Sequence, residues 1–273
     1  MKEIIVPCDF SAPALEAVRF AADIARKNKG GVTLFHSIAL PTAYDSSLVL
    51  AFEADYMREM KSAAIIQLQK VRNKYIGSNI KSQIEVQFGD LQPRLQKAIK
   101  SGNYDLVVMG THGATGLKEY TIGSNAEKVA RNSSVPVISV RKAPVEIKNI
   151  VFPVRPDLDQ EQLTMKVKEL QNFFDAKLHV VFVNTPAIFR TDTETMPLLE
   201  KFAKRFMLKN YTLSIFSDIS EEEGIINFSG TLKNGMVAMR THGRKGIAHL
   251  ATGSIAENVL NHISCPIWTV KIK

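Results

Sequence analysis

The second half of this sequence restates the first. Thr111-His112-Gly113, nine residues and Gly123-Ser124 return as Thr241-His242-Gly243, nine residues and Gly253-Ser254. Ala126-Glu127 returns as Ala256-Glu257. Ile4-Ile5-Val6-Pro7 returns 146 residues later as Ile150-Val151-Phe152-Pro153, whereas His112 and His242, like Pro136 and Pro266, stand 130 apart. The 16-residue difference falls between the second strand of the later copy and its glycine stretch. A period of half the chain means a duplicated domain, not a solenoid. With 273 residues, each copy is long enough for its own core. We place the domains at 1–143 and 147–273, joined around Lys142-Ala143-Pro144.

Within the first copy the hydrophobic pattern alternates between strand and helix. Ile4 to Pro7 reads as a strand, and Ser11 as the cap of a helix whose apolar face holds Leu15, Val18, Ala22 and Ala25. Gly30-Gly31 stops it before the strand Val32 to His36. Residues 40–52 read as a loop or lid, and the segment 40–60, with Leu48, Val49, Leu50, Phe52, Tyr56 and Met57, as either a lid or partner patch or a segment packed on the other half. A long helix runs from about Glu53 to Tyr75, with Tyr56, Met60, Ala63, Ala64 and Leu68 as its apolar positions. Ile80 to Phe88 alternates as a strand does, Gly89-Asp90 opens a helix through Leu91, Leu95 and Ile99, and Leu106 to Met109 is a buried strand. Val135 to Val140 closes the copy. The order β-α-β-α-β-α-β-α-β predicts an α/β domain with a five-stranded parallel sheet covered on both faces. Its ligands belong at the carboxyl ends of the strands, where Asp9 and Gly110 fall.

Composition narrows the class. Apolar residues make 45% and charged residues 23%, as in soluble globular proteins. Met1-Lys2-Glu3 leads straight into a strand with no signal-peptide pattern, and no apolar run approaches the roughly 18 residues of a membrane span. Cys8 and Cys265 have no metal-ligand spacing, so a reduced cytoplasmic protein is expected, without a metal centre of its own. The net charge of +8 is spread along helical faces such as Gln69 to Lys74, which predicts a solvated surface and no nucleic-acid partner.

The stretch from Leu106 to Val129 carries the chemistry. A strand, the turn Gly110-Thr111-His112-Gly113, and Gly123-Ser124 opening a helix together suggest a phosphate cradle. Glycine permits close backbone approach, and a helix start offers free N–H groups and a favourable dipole. No Gly-Lys-Ser or Gly-Lys-Thr follows, so this is not a P-loop, and the spacing is not the dinucleotide fingerprint. A tight turn that binds nothing is the bland reading. His112 and His242 recur without a serine, cysteine or paired carboxylate spaced for nucleophilic work, which favours a structural role and no catalytic residue.

Lined up in this way, the chain resembles a tandem universal stress protein. The family motif of a glycine, two residues, a glycine, nine residues and a glycine with serine is met by Gly110, Gly113, Gly123 and Ser124. Pro7-Cys8-Asp9 and the closing strand after Ser134-Val135-Pro136 also fit, the latter echoed by Ser264-Cys265-Pro266. The resemblance implies a Rossmann-like sandwich of the adenine nucleotide alpha hydrolase type. It also implies pairing of the two halves through their last strands as a pseudo-dimer, and leaves room for a further homodimer. One branch of the family binds ATP. Carried over, its nucleotide contacts fall on Pro7, Cys8 and Asp9, on backbone near Ser37, and on Met109, Gly110, His112, Gly113, Gly123, Ser124 and Asn125. Mg²⁺ is plausible as the companion of ATP, since it needs only one or two protein carboxylates beside the phosphates.

The second half departs where it matters. Arg155 stands in the place of Asp9 and Arg240 in that of Gly110, while Gly243, Gly253 and Ser254 remain. Arginine offers a nucleoside no acceptor, so a degenerate second site without ordinary ATP binding is expected. Arg155, Arg240, Arg244 and Lys245 either gather another anion or fill the vacated place and pair with acids such as Asp157 or Asp159. The expected function is an ATP-binding, stress-linked sensor or regulator with adenine nucleotide as its small-molecule partner. A non-nucleotide scaffold and a slow ATPase are the alternatives.

Overall fold

The computed structural model describes residues 1–39, 49–111, 124–241 and 255–272. Packing divides the chain into two compact units, the first carried mainly by residues up to Ala143 and the second mainly by those from Pro144.

The first unit runs β1 (Glu3–Pro7), α1 (Ala12–Asn28), β2 (Gly31–Ile38), α2 (Val49–Val71), β3 (Lys81–Phe88), α3 (Leu91–Ser101), β4 (Leu106–Gly110), α4 (Ser124–Asn132) and β5 (Val137–Val140). Its strands lie in the order β3-β2-β1-β4-β5, every pairing parallel. Ile4, Ile5, Leu34, Leu106, Val107 and Val108 are wholly buried, as strands covered on both faces require. Ser11 caps α1, its Oγ accepting from Ala14 N at 3.4 Å. The helix is stopped by Lys29, left-handed at φ 51°, and not by the glycines after it. Gly30 answers a different need, because a Cβ there would run into the carbonyl of Lys2.

The long second helix differs from expectation at its start. It begins at Val49, so residues 49–52 are helical where a loop was expected. With no proline or glycine between Val49 and Ile76, nothing in the sequence interrupts a helix there. Among its described side chains the buried ones are Ala64, Leu68 and Val71, at helical spacing, whereas Tyr56 is 58% exposed and Ala63 is also exposed. One π turn, Arg72–Ile76, ends the helix at Gly77, whose φ of 76° suits glycine. Residues 40–48, most of the expected lid, lie outside the described residues.

The second unit repeats the plan with β6 (Asn149–Pro153), α5 (Glu161–Phe174), β7 (Lys177–Asn184), α6 (Asp192–Arg205), β8 (Tyr211–Ser217), α7 (Glu221–Gly230), β9 (Gly235–Thr241), α8 (Ile255–His262) and β10 (Ile267–Lys271). Its strands follow the order β10-β9-β6-β7-β8, again parallel. Between its second and third strands it has 26 residues where the first unit has 42. All 16 missing residues are thus removed from one crossover, where the 14-residue α6 stands in place of the 23-residue α2.

Two packing details carry energetic consequences. Gly110 ends β4 against the first turn of α1: a Cβ there would sit 2.7 Å from Pro13 C and 2.8 Å from Ala14 N. These are backbone atoms of a capped helix, which cannot swing aside as a flexible side chain would. In the second unit, buried His179 joins three strands, with Nε2 2.9 Å from Asn149 Oδ1 and Nδ1 2.9 Å from Thr212 Oγ1. The neutral ring fits both partners, Nε2–H donating to the amide oxygen and Nδ1 accepting the hydroxyl proton. Burial, and then the Lys177 charge, hold its pKa below the ordinary value.

Gly110→Ala should therefore destabilise the protein by about 1–3 kcal/mol in urea unfolding without any nucleotide present. For His179 the unfolded chain binds the proton more readily than the folded one. Its contribution to stability is complete above the ordinary histidine pKa of about 6.5 and is lost as pH falls toward the depressed folded value. Unfolding curves across that range should show stability falling with acid, and His179→Gln should remove that component.

Candidate nucleotide site

The order β3-β2-β1-β4-β5 reverses its direction of growth between β1 and β4, which opens a crevice outside the carboxyl ends of those two strands. Asp9 follows β1 and Gly110 ends β4, so the fold brings together the two residues singled out from sequence. The turn after β1 is tightly held. Cys8 N donates to Phe35 O at 2.8 Å, prolonging the strand pairing, and His36 Nδ1 lies 2.7 Å from Cys8 O. Phe10 is left-handed at φ 66°, its ring 4.9 Å from that of His36. Asp9 is exposed, and its Oδ1 accepts from Ser11 N at 3.1 Å and Ser11 Oγ at 2.6 Å. One carboxylate oxygen thus shapes the start of α1.

Other expected residues take quieter places. Pro7, Cys8 and Met109 are buried. Burial, opposed by a hydrogen bond at Phe10, pushes the Cys8 thiol up to about 11, and Cys265 is likewise raised by burial to about 11, so neither is a poised nucleophile. Asp105 lies at the opposite end of the sheet, accepting from Lys2 N at 2.7 Å. His112, Gly113 and Gly123 lie outside the described residues, as do His242, Gly243, Arg244, Lys245, Gly253 and Ser254. Ser124 is the first residue of α4.

A cavity of about 360 Å³ opens at the carboxyl ends of β2 and β3, and neither Asp9 nor Gly110 is in its lining. It is formed by Ser37 and Ala39 at the end of β2, by Gly89 to Pro93 where β3 passes into α3, and by Asn125 and Lys128 of α4. Ser37 Oγ donates to Gly89 O, and Gly89 N donates to Ile38 O at 2.8 Å, fixing the floor. Gly89 has φ 110°, a conformation that favours glycine. Ser37 and Asn125 were expected from sequence; Asp90, Gln92 and Lys128 were not assigned to the site. The signal that could have found Asp90 and Gln92 is topological: in a parallel sheet every helix following a strand starts on the ligand side.

The helix starts facing that side differ between the units. The first turns of α1, α2 and α3 contain no acidic residue, whereas that of α4 contains Glu127. Those of α5, α6 and α7 contain Glu161, Asp192 with Glu194, and Glu221 to Glu223. Carboxylates there satisfy the positive ends of the helix dipoles internally.

The rest of the second unit follows suit. Arg155 Nη1 donates to Glu221 Oε1 at 2.7 Å, linking the end of β6 to the start of α7. Asp157 is paired with Arg190 at 3.0 Å and lies 4.0 Å from Arg155, so the Arg155–acid pairing weighed from sequence is present, chiefly through Glu221. Asp159 instead accepts from Glu161 N at the start of α5. Val183 stands in the place of Ser37, and a Cβ on Gly224 would overlap it. Asp218 stands in the place of Gly89, its N donating to Asn184 O at 3.1 Å. Helix α5 also starts three residues later than α1 relative to the strands before them, so Asp159 and Gln160, the counterparts of Pro13 and Ala14, are not helical. Arg240, in the position of Gly110, therefore has no helical turn at that register to crowd it.

The model of the universal stress protein family matches residues 1–141 and 218–271. Universal stress protein MJ0531 of Methanocaldococcus jannaschii is 28% identical over 147 residues, 52% of this chain and 82% of that protein. Universal stress protein MJ0577 of the same organism is 26% identical over 156 residues, 52% of this chain and 95% of its own length. Among solved structures, a universal stress protein from Archaeoglobus fulgidus superposes with a TM-score of 0.74 at 20% identity, covering 98% of this chain and 96% of that one, a likeness of fold. The stretch between the two matched segments contains Arg155 and the strands β6, β7 and β8. Two matched segments are consistent with two such domains in one chain. Together they span well over half of it, and the chain belongs to the universal stress protein family.

Proposed function

We propose that the protein binds one adenine nucleotide, ATP, in its first domain (1–143), and acts as a nucleotide-dependent regulator of the stress type. The observation that carries this reading is the contrast between the two strand-end surfaces. In the first unit an open cavity of about 360 Å³ adjoins the start of α3, whose first turn has no acidic residue, and α4, whose first turn holds Glu127 beside Lys128. In the second the corresponding ground holds Val183, Asp218, the Arg155–Glu221 pair and acidic first turns. An anion is favoured by the first arrangement and opposed by the second.

The volume lies within the usual range for small-molecule sites. Asp9 and Asp90, acceptor-only when ionised, suit hydroxyl or amino groups of a nucleoside, and backbone N–H groups at the starts of α3 and α4 suit phosphate oxygens. Mg²⁺ would accompany ATP on the phosphates with at most one or two carboxylates. Arg155 and Arg240 mark the second domain (147–273) as the degenerate copy, with a structural or partner-binding role. Pairing of the domains through their last strands and a cytoplasmic location belong to this reading through the family resemblance. Among the described residues no helix is long and apolar enough to cross a membrane.

Calorimetric titration with ATP and Mg²⁺ should give one site per chain. Asp9→Ala should weaken it at least about tenfold, as loss of a hydrogen bond to a charged group does, and Arg155→Ala should leave the stoichiometry at one. Two sites in the intact protein would contradict the assignment of the second domain; no binding would move the protein to the scaffold class.

A further inference from the structure

We infer that Lys128 supplies the positive charge that makes the first-unit cavity a phosphate site; the inference rests on the nucleotide reading above. Asn125 and Lys128 are three residues apart on α4, so they share a helix face, and both line the cavity. Across from them the cavity is bounded by the start of α3, with Asp90 at its N-cap position making no side-chain hydrogen bond to the helix. The charged side chains in the lining are thus one acceptor, Asp90, and one donor, Lys128. A nucleotide has the matching polarity: hydroxyls and amino groups at one end, phosphate oxygens at the other.

Lysine binds phosphate as a compact point charge and needs no fixed fork geometry. Its position in the second turn of α4 is not one that helix electrostatics favours, since cations are best placed near helix C-termini. The second copy has lost the same pair of residues: Ile255 and Asn258 stand where Asn125 and Lys128 stand. A counterpart of Lys128 is therefore absent from the domain whose strand ends carry acidic helix starts and the Arg155–Glu221 pair.

The test is ATP titration of the full chain in three forms, wild type, Lys128→Asn and Lys128→Arg, each at about 50 and about 250 mM salt. Lys128→Asn should bind ATP about tenfold more weakly at low salt and lose affinity less steeply as salt rises. Lys128→Arg should retain most of the wild-type affinity. If Lys128→Asn binds ATP as tightly as wild type, the lysine belongs to a solvated helix face and the inference falls while the nucleotide reading stands. Weakening with an unchanged salt dependence would make Lys128 a support of α4 and would likewise overturn it. Wild-type protein that fails to bind ATP would remove the nucleotide reading and this inference together.

Discussion

The close approach of the first turn of α1 to Gly110 is the contact on which the first unit's site depends. Pro13 and Ala14 leave no room for a Cβ at the end of β4, so the helix start is drawn onto the point where the sheet reverses its order. The Cys8-Asp9-Phe10 turn makes that approach possible. His36 holds Cys8 O, Phe10 adopts a left-handed conformation beside the His36 ring, and Asp9 holds Ser11. Farther along the same helix, Glu16 Oε2 accepts from Ala143 N at 2.8 Å, and Arg19 donates to Ala143 O. One helix thus meets the strand-end site at its start and the end of its own domain one turn later.

The second unit keeps the sheet order and changes the contacts that depend on this approach. Arg155 replaces Asp9 and pairs with Glu221, Arg240 replaces Gly110, and α5 starts three residues late. Val183 replaces Ser37, and Gly224 leaves room for it. These changes belong together physically. A bulky residue at the end of the central strand is tolerable only where the helix start has withdrawn. Glu221 serves both as partner to Arg155 and as a favourable charge at a helix N-terminus. The second unit can therefore differ at its strand ends without loss of its core, because the core lies within strands β6, β7 and β9, as buried Ile150, Val151, Val180 and Val237 attest.

The duplication, the parallel α/β plan and the position of Asp9 and Gly110 were legible in the sequence because hydrophobic period and glycine spacing encode them directly. Even the 16 missing residues could be counted, and the structure confines them to the crossover between the second and third strands. What was not legible depended on tertiary neighbours. Gly110 looked like a residue kept small for a ligand, whereas the backbone of α1 already requires glycine there. Residues 49–52 looked like loop because nothing short-range marks the start of α2. Asp90 and Gln92 at the start of α3 and Lys128 on α4 come from two separate places in the chain pattern, and only the folded sheet and helices bring them around one cavity.

The central claim is that one strand-end surface accepts a nucleotide and the other does not. A crystal structure of the full chain grown with a non-hydrolysable ATP analogue tests it most directly. The account predicts nucleotide density in the first unit, between the Asp9 turn, the start of α3 and the α4 residues Asn125 and Lys128, and none beside Arg155 and Glu221. Density beside Arg155 and Glu221, with the first unit empty, would contradict it.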